Sequence, residues 1–313
     1  MKKYIAILLA AAMATLGISA CRKENSNKET KVQKDSDIKV VTTIFPEYDW
    51  VRQIAGEEAD QMDITMLLDN GVDLHSYQPT AEDIMKVSDC DLFVYVGGES
   101  DAWVDDALKQ AKNKDMQVVD LLDVLGNSAK EEEEPEYDEH VWLSVKNAEV
   151  LSKAIADALE KVDPDHKDIY QENASAYSEK LKDLDAKYQE VVDGASQKTL
   201  LFGDRFPFRY LVDDYGLSYY AAFVGCSAES EASFDTISFL ANKVDELGLK
   251  DIMAIENSNQ KIAKTIIENT KEKNQKILTL DSMQSTTSDD VKNGTTYLSV
   301  MEKNLEVLKE ALQ

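Results

Sequence analysis

Three cysteines, three histidines and five prolines in 313 residues make a sparse set. So few cysteines exclude a disulfide-stapled scaffold and a cysteine-rich metal site. Basic residues are outnumbered as well, with 34 Lys and Arg against 60 Asp and Glu and a formal charge of −26. A surface of that sign repels phosphate backbones, so nucleic acid is not an expected partner and a cation is the more natural ligand. Beyond residue 21 no apolar run approaches the roughly 20 residues that a transmembrane helix needs. Even so, 43% of the residues are apolar, enough to fill a core in each of two domains.

The N-terminus carries its own signal. Lys2 and Lys3 precede an apolar stretch over 4–16, and small residues lead to Cys21. This resembles the lipobox of bacterial lipoproteins, which implies removal of residues 1–20 and a diacylglycerol-bearing Cys21 at an extracytoplasmic membrane surface. Residues 21–37 are polar and lack an apolar period, as a flexible tether would. Cys90 and Cys226 are expected to be two buried thiols rather than a bridge.

Short β-prone runs at 38–44, 62–68, 92–97 and 117–121 alternate with helical stretches, one starting at Pro79-Thr80-Ala81-Glu82-Asp83. A second series follows, with strands at 199–203, 219–224, 251–256 and 276–280 and helices at about 206–215, 233–247, 259–270 and 297–312. Alternation of this kind predicts an α/β fold with mainly parallel sheets in two lobes. Between them Tyr170, Ala174, Tyr177, Leu181, Leu184, Tyr188 and Val191 recur at four- and three-residue steps. That spacing draws one apolar stripe along a rigid linker helix about 40 Å long. The expected boundaries are 38–166 for the N-terminal lobe, 167–194 for the helix and 195–313 for the C-terminal lobe. Coiled-coil dimerisation is the alternative use of the stripe; a monomer is expected.

His75 lies in a polar loop between a strand and a helix start, His140 follows an acidic run, and His166 sits among charged residues as an exposed side chain. His75 and His140 are 65 residues apart, so only the fold could unite them. Asp204, Glu256 and Asp281 each fall at the carboxyl end of a predicted strand. Ligand sites of open parallel sheets gather at that edge, although helix capping is the commoner task of such acids. Imidazole with carboxylate suits zinc, manganese or iron.

With Asp73 to Pro79, Asp138 to Leu143, Phe208 to Leu217, Leu278 to Ser282 and Gly294 to Leu308 in place, the chain resembles the metal-binding lipoproteins that feed bacterial ABC importers for zinc or manganese. The resemblance covers residues 38–313 and implies two α/β lobes, a long backbone helix and a cleft clamping one ion. It implies His75 and His140 as ligands from the first lobe and Asp281 from the second. The family's third ligand, a histidine or glutamate, falls on Arg205, and a guanidinium does not ligate a cation. Asp204 is therefore the expected replacement, with Glu256 or water as the other candidate and Arg205 paired to a carboxylate. Glu231 matches a family acid with an expected structural role. The cargo expected is Zn2+, with Mn2+ or Fe2+ as alternative. The expected partners are a membrane permease and its ATPase, with no enzymatic chemistry. A surface adhesin is the rival role. The acidic run over 131–139 is expected to be a solvated loop where zinc-binding members often carry histidines.

Overall fold

Val40, Val41 and Thr42 are buried β-branched residues, and they build the first strand of a sheet that a computed structural model describes in detail. The structure describes residues 38–313 except 134, 135, 224 and 227–230, with backbone only at 131–133 and 136. The signal, Cys21 and the tether lie outside the described residues, as does part of the acidic run.

In the first lobe β1 (Ile38–Thr42), β2 (Met62–Met66), β3 (Leu92–Tyr95) and β4 (Gln117–Asp120) form a parallel sheet in the order β2-β1-β3-β4. Helices α1 (Phe45–Ala55), α2 (Ala81–Asp89), α3 (Val104–Lys109) and α4 (Leu121–Leu125) follow its strands. Helix α2 starts after Pro79, because the Thr80 hydroxyl accepts from Asp83 N at 3.2 Å while Asp83 accepts from Thr80 N at 2.8 Å. A small antiparallel pair, β5 (Glu131–Glu133) and β6 (Glu136–Tyr137), occupies part of the acidic run, so paired strands stand where a solvated loop is expected. Helix α5 (Val145–Val162) comes next and was not assigned from the sequence.

Helix α6 (Lys167–Gly194) is 28 residues long, about 42 Å at the α-helical rise. It buries Tyr170, Tyr177, Leu181, Leu184 and Tyr188 as the stripe predicts, and closes on Val192 rather than Val191. It joins two α/β lobes as a rigid strut.

The second lobe has β7 (Thr199–Phe202), β8 (Ser218–Ala221), β9 (Asp251–Ile255) and β10 (Lys276–Leu280), parallel in the order β10-β9-β7-β8. Its helices are α7 (Arg209–Asp214), α8 (Phe234–Leu247), α9 (Lys261–Asn269), α10 (Ser288–Lys292) and α11 (Tyr297–Ala311). Strand alternation divides the core: Leu200, Phe202, Met253 and Ile255 join the large cluster shared with the first lobe and α6, whereas Leu201 and Ile252 face a smaller one under α8 and α9. Gly203 ends β7 where a Cβ would lie 2.6 Å from Ala263 Cα, so α9 can approach only a glycine there.

Hydrogen bonds tie the lobes across the cleft. Trp142 Nε1 donates to Ser282 O at 2.9 Å, Tyr297 OH to Trp142 O at 2.8 Å, and Tyr210 OH to Asp138 O at 2.9 Å. All three aromatic residues are buried, so these bonds form away from competing water.

Candidate metal centre

The loops at the carboxyl ends of both sheets bring three ligand types together. His75 stands in a single 3-10 turn, Leu74–Ser76, anchored by buried Leu74 and capped by Asp73, whose Oδ1 accepts from Ser76 N at 3.1 Å. His140 leads into Val141, Trp142 and Leu143, all fully buried, so its backbone is held by packing. Cys226 follows β8 in a turn pinned to the β7 loop by Phe206 N donating to Gly225 O at 2.7 Å.

The Nε2 atoms of the two histidines are 3.1 Å apart, and Cys226 Sγ lies with them in a group whose ligand atoms are all within 4.8 Å of one another. Tetrahedral zinc would set two nitrogens about 3.3 Å apart and a nitrogen and a sulfur about 3.6 Å apart. The donor set therefore fits one ion with little movement. Among the described residues this is the one such group of His, Cys, Asp and Glu.

Neighbouring carboxylates orient both rings. Asp138 Oδ1 accepts from His140 N at 2.9 Å and from Nδ1 at 2.7 Å, leaving Nε2 for the centre. His75 Nδ1 meets Ser100 Oγ at 3.1 Å, and Ser100 donates through its backbone to Glu139 Oε1 at 2.8 Å and through its hydroxyl to Oε2. Gly98, at φ +80°, has to be a glycine here, because any Cβ would run into Glu139.

Electrostatics couple the three groups. Burial pushes the Cys226 thiol up, but His140 and His75 outweigh it and bring the pKa down to about 6. Burial disfavours a charged His140, but Cys226 and Asp138 raise it well above its ordinary value. Each shift favours the charged form, negative on the Cys226 sulfur and positive on the His140 ring, because each is the other's counter-charge. Gln284 Nε2 also reaches Cys226 Sγ at 3.5 Å.

The expected ligands divide accordingly. His75 and His140 meet, whereas Asp204 and Asp281 lie outside the group. Asp281 is built into the turn after β10: its Oδ1 accepts from Met283 N at 2.8 Å and its backbone pairs with Asn304 in both directions at 2.8 Å. Burial first and the nearby Glu256 second raise its pKa to about 6. Glu256 accepts from Ser282 N and Oγ, both at 2.7 Å, so it holds the same turn. Arg205 Nη1 donates to Asp73 Oδ2 at 3.0 Å, joining the β7 loop to the His75 loop. Asp204 Oδ1 accepts from Arg205 N at 2.9 Å. Glu231 is exposed and paired with Lys261 at 3.3 Å.

Two expectations need correction. His166 is half-buried rather than exposed, its ring lying 2.7 Å from Asp163 and 3.6 Å from Glu58, because it sits where the start of α6 turns against the first lobe. Cys226 is not an inert buried thiol, because the β8 turn aims it at two imidazoles. The sequence carries a signal for it, because Cys226 follows a predicted strand as the candidate acids do, and the strand-end position favours a thiol as well as a carboxylate.

Comparison with known proteins agrees with this architecture. Residues 40–311 match the family described as zinc-uptake complex component A, periplasmic. The zinc-binding lipoprotein AdcA of Streptococcus pneumoniae strain R6 is 34% identical over 320 residues. That alignment takes in 98% of this chain but 61% of AdcA, so the chain spans about three-fifths of that relative's length. The high-affinity zinc uptake system protein ZnuA of Bacillus subtilis is 30% identical, with 99% of this chain and 98% of that protein covered. The Zn(II)-bound ZnuA-like domain of S. pneumoniae AdcA superposes with a TM-score of 0.73 at 33% identity, over 88% of this chain and 99% of that one. The chain belongs to the family of periplasmic zinc-uptake component A proteins.

Proposed function

We propose that this protein captures Zn2+ outside the cytoplasm and hands it to a membrane permease driven by an ATPase, with Cys21 lipidated as its anchor. His75 Nε2, His140 Nε2 and Cys226 Sγ are the ligands, and water takes the fourth tetrahedral position. The observation that carries this is the grouping of three donors from distant parts of the chain, with the two rings held by Asp138, Ser100 and Glu139. The zinc named for the AdcA and ZnuA relatives supports the choice of metal. So does the thiolate, a soft donor that favours zinc over manganese.

Each ligand has a distinct part. Asp138 keeps the His140 proton on Nδ1, so Nε2 presents a lone pair. His75 is the outermost donor, its side chain 29% exposed, so it is placed to meet the ion first. Cys226 brings the second lobe to the ion, which makes binding a bond between lobes. Competitive titration with a chromogenic chelator tests the assignment. His75→Ala, His140→Ala and Cys226→Ala should each weaken zinc by about 100-fold or more, and wild-type affinity in all three would disprove it.

A further inference from the structure

Two loops beside the metal centre meet across the cleft in one ion pair. Arg205 of the β7 loop donates from Nη1 to Asp73 Oδ2 at 3.0 Å, and among the described residues no other ion pair joins the second lobe to the His75 turn. Asp73 uses its second oxygen as the cap of that turn, accepting from Ser76 N at 3.1 Å. One carboxylate therefore holds the His75 turn with Oδ1 and the opposite lobe with Oδ2.

Arg205 is tied just as directly to the other side of the centre. Its neighbour Phe206 donates from its backbone to Gly225 O at 2.7 Å, one residue before Cys226, and its own N–H is fixed by Asp204 Oδ1 at 2.9 Å. The segment 204–206 thus grips the Cys226 turn by a backbone bond and the His75 turn by a guanidinium, so the pair draws the two turns together without a metal. Burial works against the Arg205 charge, but Asp73, Cys226 and Asp204 outweigh it, which places the guanidinium among the negative groups of the site. A guanidinium cannot ligate a cation, so Arg205 serves the ion only through where it holds its partners. The interlobe bonds from Trp142 and Tyr210 are buried, whereas the side chains of Arg205 and Asp73 are 30% and 19% exposed. Solvent reaches this contact, so it can break while the buried ones hold.

Resting on the zinc-capture function above, we propose that Arg205 and Asp73 form a cross-cleft latch that sets how long the ion stays. With zinc bound, parting the two turns has to break the ion pair as well as a metal bond, so the latch slows release. Both are positioning residues, acting through the His75 and Cys226 turns and not on the ion.

Zinc release from the full chain into excess chelator, followed by stopped flow, tests this with Arg205→Gln, Asp73→Asn and the double variant. Asp73→Asn keeps an acceptor for the Ser76 cap, so the turn survives. The two single variants remove charges of opposite sign. As mere neighbours of a cation, Arg205→Gln would slow release and Asp73→Asn would speed it. A latch makes both speed it by a similar factor of about three to ten, and makes the double variant no faster than either single. Hydrogen exchange of the metal-free protein supplies a readout that no metal enters: residues 73–77 should exchange faster in Arg205→Gln than in wild type, with α6 unchanged. Unchanged or slower release from Arg205→Gln, additive single effects, or wild-type exchange at 73–77 overturns the latch. The zinc-capture function fails separately, if His75→Ala and Cys226→Ala bind zinc like wild type.

Discussion

His75 and His140 are 65 residues apart in the chain, yet their Nε2 atoms stand 3.1 Å apart. With each Nδ1 proton held by its own neighbour, two neutral rings set their Nε2 lone pairs against each other at that distance. A cation between them removes the conflict, and Cys226 supplies the negative charge that keeps it there.

The thiolate should set the metal preference. Cys226→Asp replaces a soft donor with a hard one, so zinc affinity should fall by about 100-fold while manganese changes by less than tenfold. Parallel titrations with the two metals measure this. Loading wild type with Co2+ should give a sulfur-to-cobalt charge-transfer band that Cys226→Asp lacks.

Proton release should come from the histidine. Cys226 is lowered to about 6 and His140 raised well above its ordinary value, so the expected metal-free centre near pH 7.5 has a thiolate beside a protonated His140. Zinc should therefore displace about one proton, and affinity should fall toward pH 5 as the thiolate protonates. Calorimetry in buffers of different ionisation enthalpy counts that proton. A count of zero would contradict a charged His140.

Asp138→Asn should weaken zinc by roughly 10- to 100-fold without removing any ligand, because the amide can present its NH2 group to His140 Nδ1 and move the proton to Nε2. A chelator titration and a thermal melt together separate this from unfolding. Equal affinity with a normal melt would show that Asp138 does not set the tautomer.

Metal-free stability should decline as pH rises. Burial raises Asp101 to about 7 and Asp49 to about 6, both above the roughly 3.9 of an unfolded aspartate. The native state then binds more protons between about pH 4 and 7, so their contribution is complete below that window and is lost as pH rises through it. The Tm of the metal-free protein should be a few degrees higher near pH 5 than near pH 8, and Asp101→Asn should flatten the trend. Zinc reverses the sign, because its own binding strengthens with pH.

Asp281→Ala should cost zinc less than tenfold, well short of Cys226→Ala, since its carboxylate serves the Met283 turn. A loss equal to that of Cys226→Ala would restore Asp281 as a ligand.

Much of the fold was legible because its signals are local. The run Ile38 to Thr42, the Thr80 and Asp83 cap and the stripe from Tyr170 to Tyr188 act through neighbours a few residues away, and each forms close to its predicted place. The pairing of β5 with β6 was not legible, because a run of acids gives no strand pattern.

The site divides along the same line. His75 and His140 stood out because imidazoles are rare in this chain, whereas Asp204 and Asp281 stood out through their place at strand ends. Sequence could not tell which strand-end group faces the histidines. It determined the lobes, the long helix and the kinds of donor available, since these follow from periodicity and residue chemistry. Only the tertiary structure placed Cys226, rather than the carboxylates, beside the histidines, because that placement depends on where a turn aims its side chain, and the turn after β8 is held by its bond to the β7 loop.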